Sequence, residues 1–208
     1  MRPLLTEEEL ERLESAVRSA ERGSTAEIVV VIAGGPAEGH GWLYWPMVVA
    51  LAAPSVLIWL GLTARTLYVT QLAVLMLGAL PWFLPALRRM LTPVASRHAA
   101  ARRLAREQFF ELGLHLTAAR TGILLLVLPD DRCAELVADA GAQGPLPDEA
   151  WRPCVAALLT EAQRGRLSAG IEAALAELGA VLRERIPAGT TDRNELPDRP
   201  VLLGPHSI

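Results

Sequence analysis

The sequence predicts an α/β fold, a small mixed sheet packed with helices and interrupted by a transmembrane helical hairpin. Three observations carry this reading. Two long apolar stretches follow one another without a fixed charge, the first between Glu38 and Arg65 and the second between Arg65 and Arg88. One β-branched run, EIVVVIA from Glu27 to Ala33, precedes them, and the other strand-like runs all come after. A strand alone leaves its backbone N–H and C=O groups without partners, so the first run has to join a sheet with the later ones. The chain is thereby divided into residues 1–38 (first part of the domain), 39–87 (hairpin), 88–187 (remainder of the domain) and 188–208 (an extended or loosely packed tail rich in proline and charge).

The first helix has a start signal, Thr6 with Glu9 in a Thr-x-x-Glu capping box. Leu10, Leu13, Val17 and Ala20 recur at helical spacing, and Gly23 can end the helix. After Glu27, EIVVVIA is continuously apolar, as in a strand covered on both faces. Gly34, Gly35 and Pro36 close it.

The apolar segments are Gly41 to Ala64 and Thr66 to Leu87, each long enough for the roughly 20 residues that span a bilayer. Trp42, Tyr44 and Trp45 at one end, and Trp82 and Phe83 at the other, suit headgroup-level positions. Apolar residues make up 51% of the chain and charged residues 21%, against about 45–50% and about 25% in soluble domains. Arg88, Arg89, Arg97, Arg102, Arg103 and Arg106 follow the second segment, whereas the connection between segments holds only Arg65. The positive-inside rule then places both termini and the soluble domain in the cytoplasm of a bacterial plasma membrane. No secretory signal is evident at the N-terminus.

Beyond the hairpin, a helix is expected from about Arg97 to Ala119, with Ala105, Phe109, Leu112 and Leu116 inward. Ile123 to Leu128 and Cys133 to Ala138 read as a strand hairpin turning at Pro129 to Asp131. Pro147 and Asp148 open a helix with Trp151, Val155, Leu158 and Leu159, in which Pro153 is a candidate restart point. Ser168 is the expected cap of a last helix with Ile171, Leu175, Leu178 and Leu182 inward, ending at Pro187.

With these elements in order, the chain resembles the TPM-domain family, in its bacterial two-pass membrane form. LTEEELERLESAVRSAERGSTAEIVVVIA looks like the family's first helix and strand. ARTGILLLVLPDDRCAELVADAG looks like its central hairpin, LLTEAQRGRLSAGIEAALAELGAVL like its C-terminal helices, and NELPD like the tail of the membrane group. The resemblance implies an α/β sandwich with a small mixed sheet. For some members it implies phosphatase activity or calcium binding, and for thylakoid members a role in photosystem maintenance.

Asp139 and Gly141, in VADAGAQG, match the acidic or glycine-rich loop that follows the family's central hairpin. A carboxylate at a strand end can bind a hard cation, and glycine permits close backbone approach. Asp130 and Asp131 in the hairpin turn, or Asp148 and Glu149, are the further oxygen donors such a site would need. No cofactor is required; a divalent cation such as calcium is the one the Asp139, Asp130 and Asp131 set would take. His115 could act as a base only with an acidic partner. His98 reads as interfacial, and Cys133 has no histidine near it in sequence. No GxSxG, HExxH, P-loop or dinucleotide fingerprint occurs. The arginine run Arg88 to Arg106 suits anionic lipid. A net charge of -3 and the absence of aromatics among these arginines argue against nucleic acid. The expected function is a membrane-anchored cytoplasmic interaction or assembly module, with membrane lipids and a membrane protein as partners. The competing expectation is a divalent-metal-assisted phosphatase using Asp139.

Overall fold

A computed structural model describes residues 5–34, 48–50, 52, 63–84, 93–145, 148–188 and 195–204. The chain divides into two compact units, one formed by Met1–Ala37 with His98–Ile208 and one by Glu38–Arg97.

The first unit is built on a four-stranded mixed sheet. In chain order its described elements are α1 (Glu7–Glu21), β1 (Glu27–Ala33), the body of a helix we call α3 (Val94–Glu111), a 3-10 turn (Leu114–Leu116), β2 (Gly122–Leu128), β3 (Cys133–Ala138), α4 (Ala140–Gln143), α5 (Asp148–Gln163), α6 (Leu167–Arg185) and β4 (Val201–Leu203). The strand order is β3-β2-β1-β4. β1 pairs in parallel with β2, from Glu27 opposite Gly122 to Ile32 opposite Val127. β3 runs antiparallel to β2, and β4 runs parallel to β1.

All seven residues of β1 and all seven of β2 are buried, because both faces of the sheet are covered. Side chains alternate across a strand. Ile28, Val30 and Ile32 with Ile123, Leu125 and Val127 meet Leu13 and Val17 of α1, Leu158 of α5, and Ile171, Leu175 and Leu178 of α6. Val29, Val31, Leu124, Leu126 and Leu128 pack on the other face with Ala101, Leu104, Ala105 and Phe109 of α3 and with Leu114. The result is three layers, helices on both sides of one sheet. α1 opens with the expected capping box, Thr6 and Glu9 satisfying each other's backbone N–H. α1 and α6 approach so closely that a Cβ on Gly179 would lie 2.7 Å from Ala20 Cα.

Four local expectations change. The helix after the insertion ends at Glu111. Gly113 then adopts a left-handed conformation (φ 72°) and shifts the register, so Leu114 is buried and Leu116 is 75% exposed. Pro153 lies inside α5 and does not restart it. Ser168 is in the first turn of α6, whose cap position is Arg166; its hydroxyl donates to Glu172 instead (3.1 Å). Part of the tail is a strand: Val201–Leu203 covers the free edge of β1. Three residues are too short a run to announce a strand by pattern.

The tail is anchored by a buried acid. The Glu27 carboxylate accepts the backbone N–H groups of Glu195 and Leu196, both at 3.3 Å. Arg18 pairs with Asp198 (2.7 Å) and Arg199 with Glu7 (2.6 Å).

The second unit contains α2 (Ala64–Phe83). Among the described residues, no helix is long and apolar enough to cross a membrane. The first expected crossing, Gly41 to Ala64, lies largely outside the described residues, so the transmembrane hairpin has no support there.

Glu27→Ala strips two backbone donors of their acceptor. Glu195 is exposed and Leu196 half-buried, so water can take over the freed N–H groups and the loss is that of ordinary hydrogen bonds, about 0.5–1.5 kcal/mol; the urea midpoint should fall by the corresponding amount with an unchanged slope. An unchanged midpoint would show that the tail is not held through Glu27.

Candidate functional site

Asp139 stands at the end of β3 and caps α4, its Oδ1 accepting the Ala140 N–H at 2.7 Å. Arg120 grips it in a two-pronged pair, Nε to Oδ2 at 2.5 Å and Nη2 to Oδ1 at 2.9 Å. The Arg120 hydrogen bond holds the Asp139 carboxyl below the usual carboxylate range; burial opposes this, and the Ala140 N–H and the Arg120 charge reinforce it. Arg120 has positive φ (55°). The Gly141 N–H donates to the Arg120 carbonyl at 2.8 Å, and a Cβ on Gly141 would meet the carbonyls of Ala119 and Arg120 at 2.6 and 2.7 Å. VADAG is therefore a clasp that fastens the loop before β2 to the end of β3.

The other acids do not join it. Asp130 and Asp131 lie in the turn before β3, Asp131 buried and Asp130 half-buried. At about 3.3 Å per residue, the strand puts roughly 20 Å between that turn and Asp139. Glu149 is exposed on α5, and the Asp148 side chain lies outside the described residues. Among the described residues, the oxygen-rich cage that calcium requires is not assembled around Asp139. His115 sits on the 3-10 turn with its ring against Phe110, centroids 5.2 Å apart.

A different group does converge. His98 on α3 and Cys133 and Glu135 on β3 place donor atoms within 4.8 Å of one another. Nδ1 of His98 is 2.7 Å from Glu135 Oε1 and 3.4 Å from Cys133 Sγ. Arg102, one helical turn beyond His98, binds the second oxygen of Glu135 at 3.2 Å. Cys133 and Glu135 are two residues apart on a strand and so share a face; His98 and Arg102 are four apart on a helix and share one too. Cys133 and Glu135 are buried and the His98 side chain is half exposed. Beside them lies a cavity of about 680 Å³ along β3, the sheet's edge strand, lined among others by His98, Arg102, Arg106, Glu135, Trp151 and Arg152. Neither cysteine is in a disulfide: Cys133 packs on the α3 side of the sheet and Cys154 on the α5–α6 side.

The basic patch is divided. Arg88 and Arg89 lie outside the described residues; Arg97, Arg102, Arg103 and Arg106 are on α3, where Arg102 is committed to Glu135. Sequence reasoning missed the His98–Cys133–Glu135 group because 35 residues separate His98 from Cys133. The paired spacings, i/i+4 on a helix and i/i+2 on a strand, were the available signal.

The model of the TPM domain matches residues 91–181, so the chain is similar to that domain over this stretch. A solved structure that it resembles is the BA42 protein of the psychrophilic bacterium Bizionia argentinensis, determined by NMR. The likeness has a TM-score of 0.62 at 17% sequence identity and covers 97% of each chain, which establishes a shared fold. No curated protein matches the chain.

Asp139→Ala removes the cap and the Arg120 clasp together. With the exposed Arg120 side of the pair screened by solvent, the loss of stability at neutral pH should be about 1 kcal/mol. Because the folded carboxyl is held below its ordinary value, its contribution is present above the ordinary carboxylate range and lost as pH falls through the folded value. Urea unfolding of wild type and variant should therefore converge in acid. A gap that is constant with pH would contradict the clasp.

Proposed function

We propose that the chain is a membrane-anchored module of the bacterial plasma membrane, whose TPM domain lies on the cytoplasmic side and docks with a membrane protein. The observation that carries this is the surface of α2. Tyr68, Val69, Leu72, Met76 and Leu77 are each 63% or more exposed, and the stretch Leu72–Leu80 carries no polar side chain on any side. Burying one such side chain is worth about 1.5–3 kcal/mol, and a helical stretch apolar on every side favours an apolar surrounding. The arginines from Arg88 onward, set against the single Arg65 in the first turn of α2, favour lipid as that surrounding and the cytoplasm as the side of the domain.

The competing reading, a metal-assisted phosphatase using Asp139, needs a carboxylate free to hold an ion beside other oxygen donors. Asp139 is instead engaged by Arg120 and Ala140. A docking role accords better with a domain whose acidic loop is used for its own cohesion.

Reporter fusions at Arg65 and at the C-terminus should report opposite compartments, the C-terminus cytoplasmic, and the chain should stay in the membrane fraction under carbonate wash. A periplasmic C-terminus or release by carbonate would overturn the anchoring. Phosphate-ester turnover lost in Asp139→Asn would overturn the docking role.

A further inference from the structure

We propose that His98, Cys133 and Glu135 form a binding site for a divalent transition-metal ion of the zinc class. The three donors are an imidazole nitrogen, a thiol sulfur and a carboxylate oxygen, gathered within 4.8 Å from two elements far apart in sequence. This mixed set suits zinc or its neighbours; calcium and magnesium take oxygen ligands. A thiolate and a carboxylate together balance the charge of a divalent cation.

The hydrogen-bond geometry alone does not use the cluster well. Nδ1 of His98 is the shared vertex, 2.7 Å from a carboxylate oxygen and 3.4 Å from sulfur. One ring nitrogen offers either one proton or one lone pair, so it serves only one of those neighbours at a time. A cation at the centre serves all three. With metal bonds of about 2.0–2.3 Å, neighbouring donors of a tetrahedral ion lie about 3.3–3.7 Å apart. The nitrogen–sulfur distance already has that value, the nitrogen–oxygen distance has to open by less than about 1 Å, and the sulfur–oxygen distance, which is within 4.8 Å, has to close by about 1 Å at most. Arg102 on the second oxygen of Glu135 holds the carboxylate while leaving Oε1 directed at His98. Three protein donors leave one position of a tetrahedral ion to water. His98 and Glu135 line the cavity along β3 and Cys133 is buried, so water from the cavity can reach the ion beside the first two.

Cys154 is the internal control. It is buried on the opposite side of the sheet, and burial, with a smaller contribution from Glu177, pushes its thiol up to about 11.

The test is cobalt(II) titration of the purified 208-residue chain. The expected result is a thiolate-to-cobalt charge-transfer band in the near ultraviolet together with strong visible bands of tetrahedral cobalt, displaced by zinc and left unchanged by calcium. Cys133→Ser should lose the charge-transfer band, and Cys154→Ser should keep it. His98→Ala, at a half-exposed helix position outside the core, should weaken cobalt binding by at least about tenfold, since losing even an outer partner of a metal ligand costs about that much, with an unaltered circular dichroism spectrum. Absence of the charge-transfer band in the wild-type chain would overturn the site. So would its persistence in Cys133→Ser, or unchanged affinity in folded His98→Ala.

Discussion

The parallel pairing of β1 with β2 is the contact on which the rest of this structure depends. It joins a strand that ends before the insertion to one that begins well after it, register by register from Glu27–Gly122 to Ile32–Val127. Apart from Glu27 at the start of β1, neither strand has a buried polar residue, and each needs cover on both faces. α1, α5 and α6 supply one cover, and α3 with the 3-10 turn supplies the other. Parallel strands require a long crossover, and here the crossover contains residues 38–97 as well as α3. Closing a longer loop costs only slowly increasing entropy, so an insertion of this size is compatible with a single sheet.

Much of that architecture was legible in the sequence, for identifiable reasons. EIVVVIA and GILLLVL are continuous apolar runs, the pattern of strands buried on both faces. The turn at Pro129 to Asp131 fixed the antiparallel hairpin, and Thr6 with Glu9 marked the start of α1. Where the reading failed, a local signal was weaker than the tertiary setting. Gly113 ended a helix whose apolar spacing ran on past it. Val201–Leu203 became a strand because β1 had an unpaired edge and Glu27 could receive the backbone ahead of it, neither of which a three-residue run discloses.

The site divides the same way. Asp139 and Gly141 stand out in sequence, and their prominence has a structural origin: a capped turn, a guanidinium clasp and a backbone approach too close for any side chain. The residues that converge beside the cavity were inconspicuous. His98 lies among arginines and alanines, and Cys133 follows a turn. They meet because α3 lies across the face of the hairpin, and because the i/i+2 rhythm of an edge strand turns Cys133 and Glu135 toward that helix. The apolar surface of α2 and the compact sandwich are separate features of one chain, which is why the functional proposal rests on an anchored domain and the chemical one on the sheet's edge.

The central claim is that β1 and β2 form one cooperative sheet across the insertion. Native-state hydrogen exchange measures it directly. The backbone amides of Val29 to Ile32 and of Leu124 to Val127 should be among the slowest in the chain and should exchange through the same opening, with equal free energies and equal denaturant dependence. Exchange of the β1 amides through a separate, lower-energy opening while those of β2 stay protected would contradict the account.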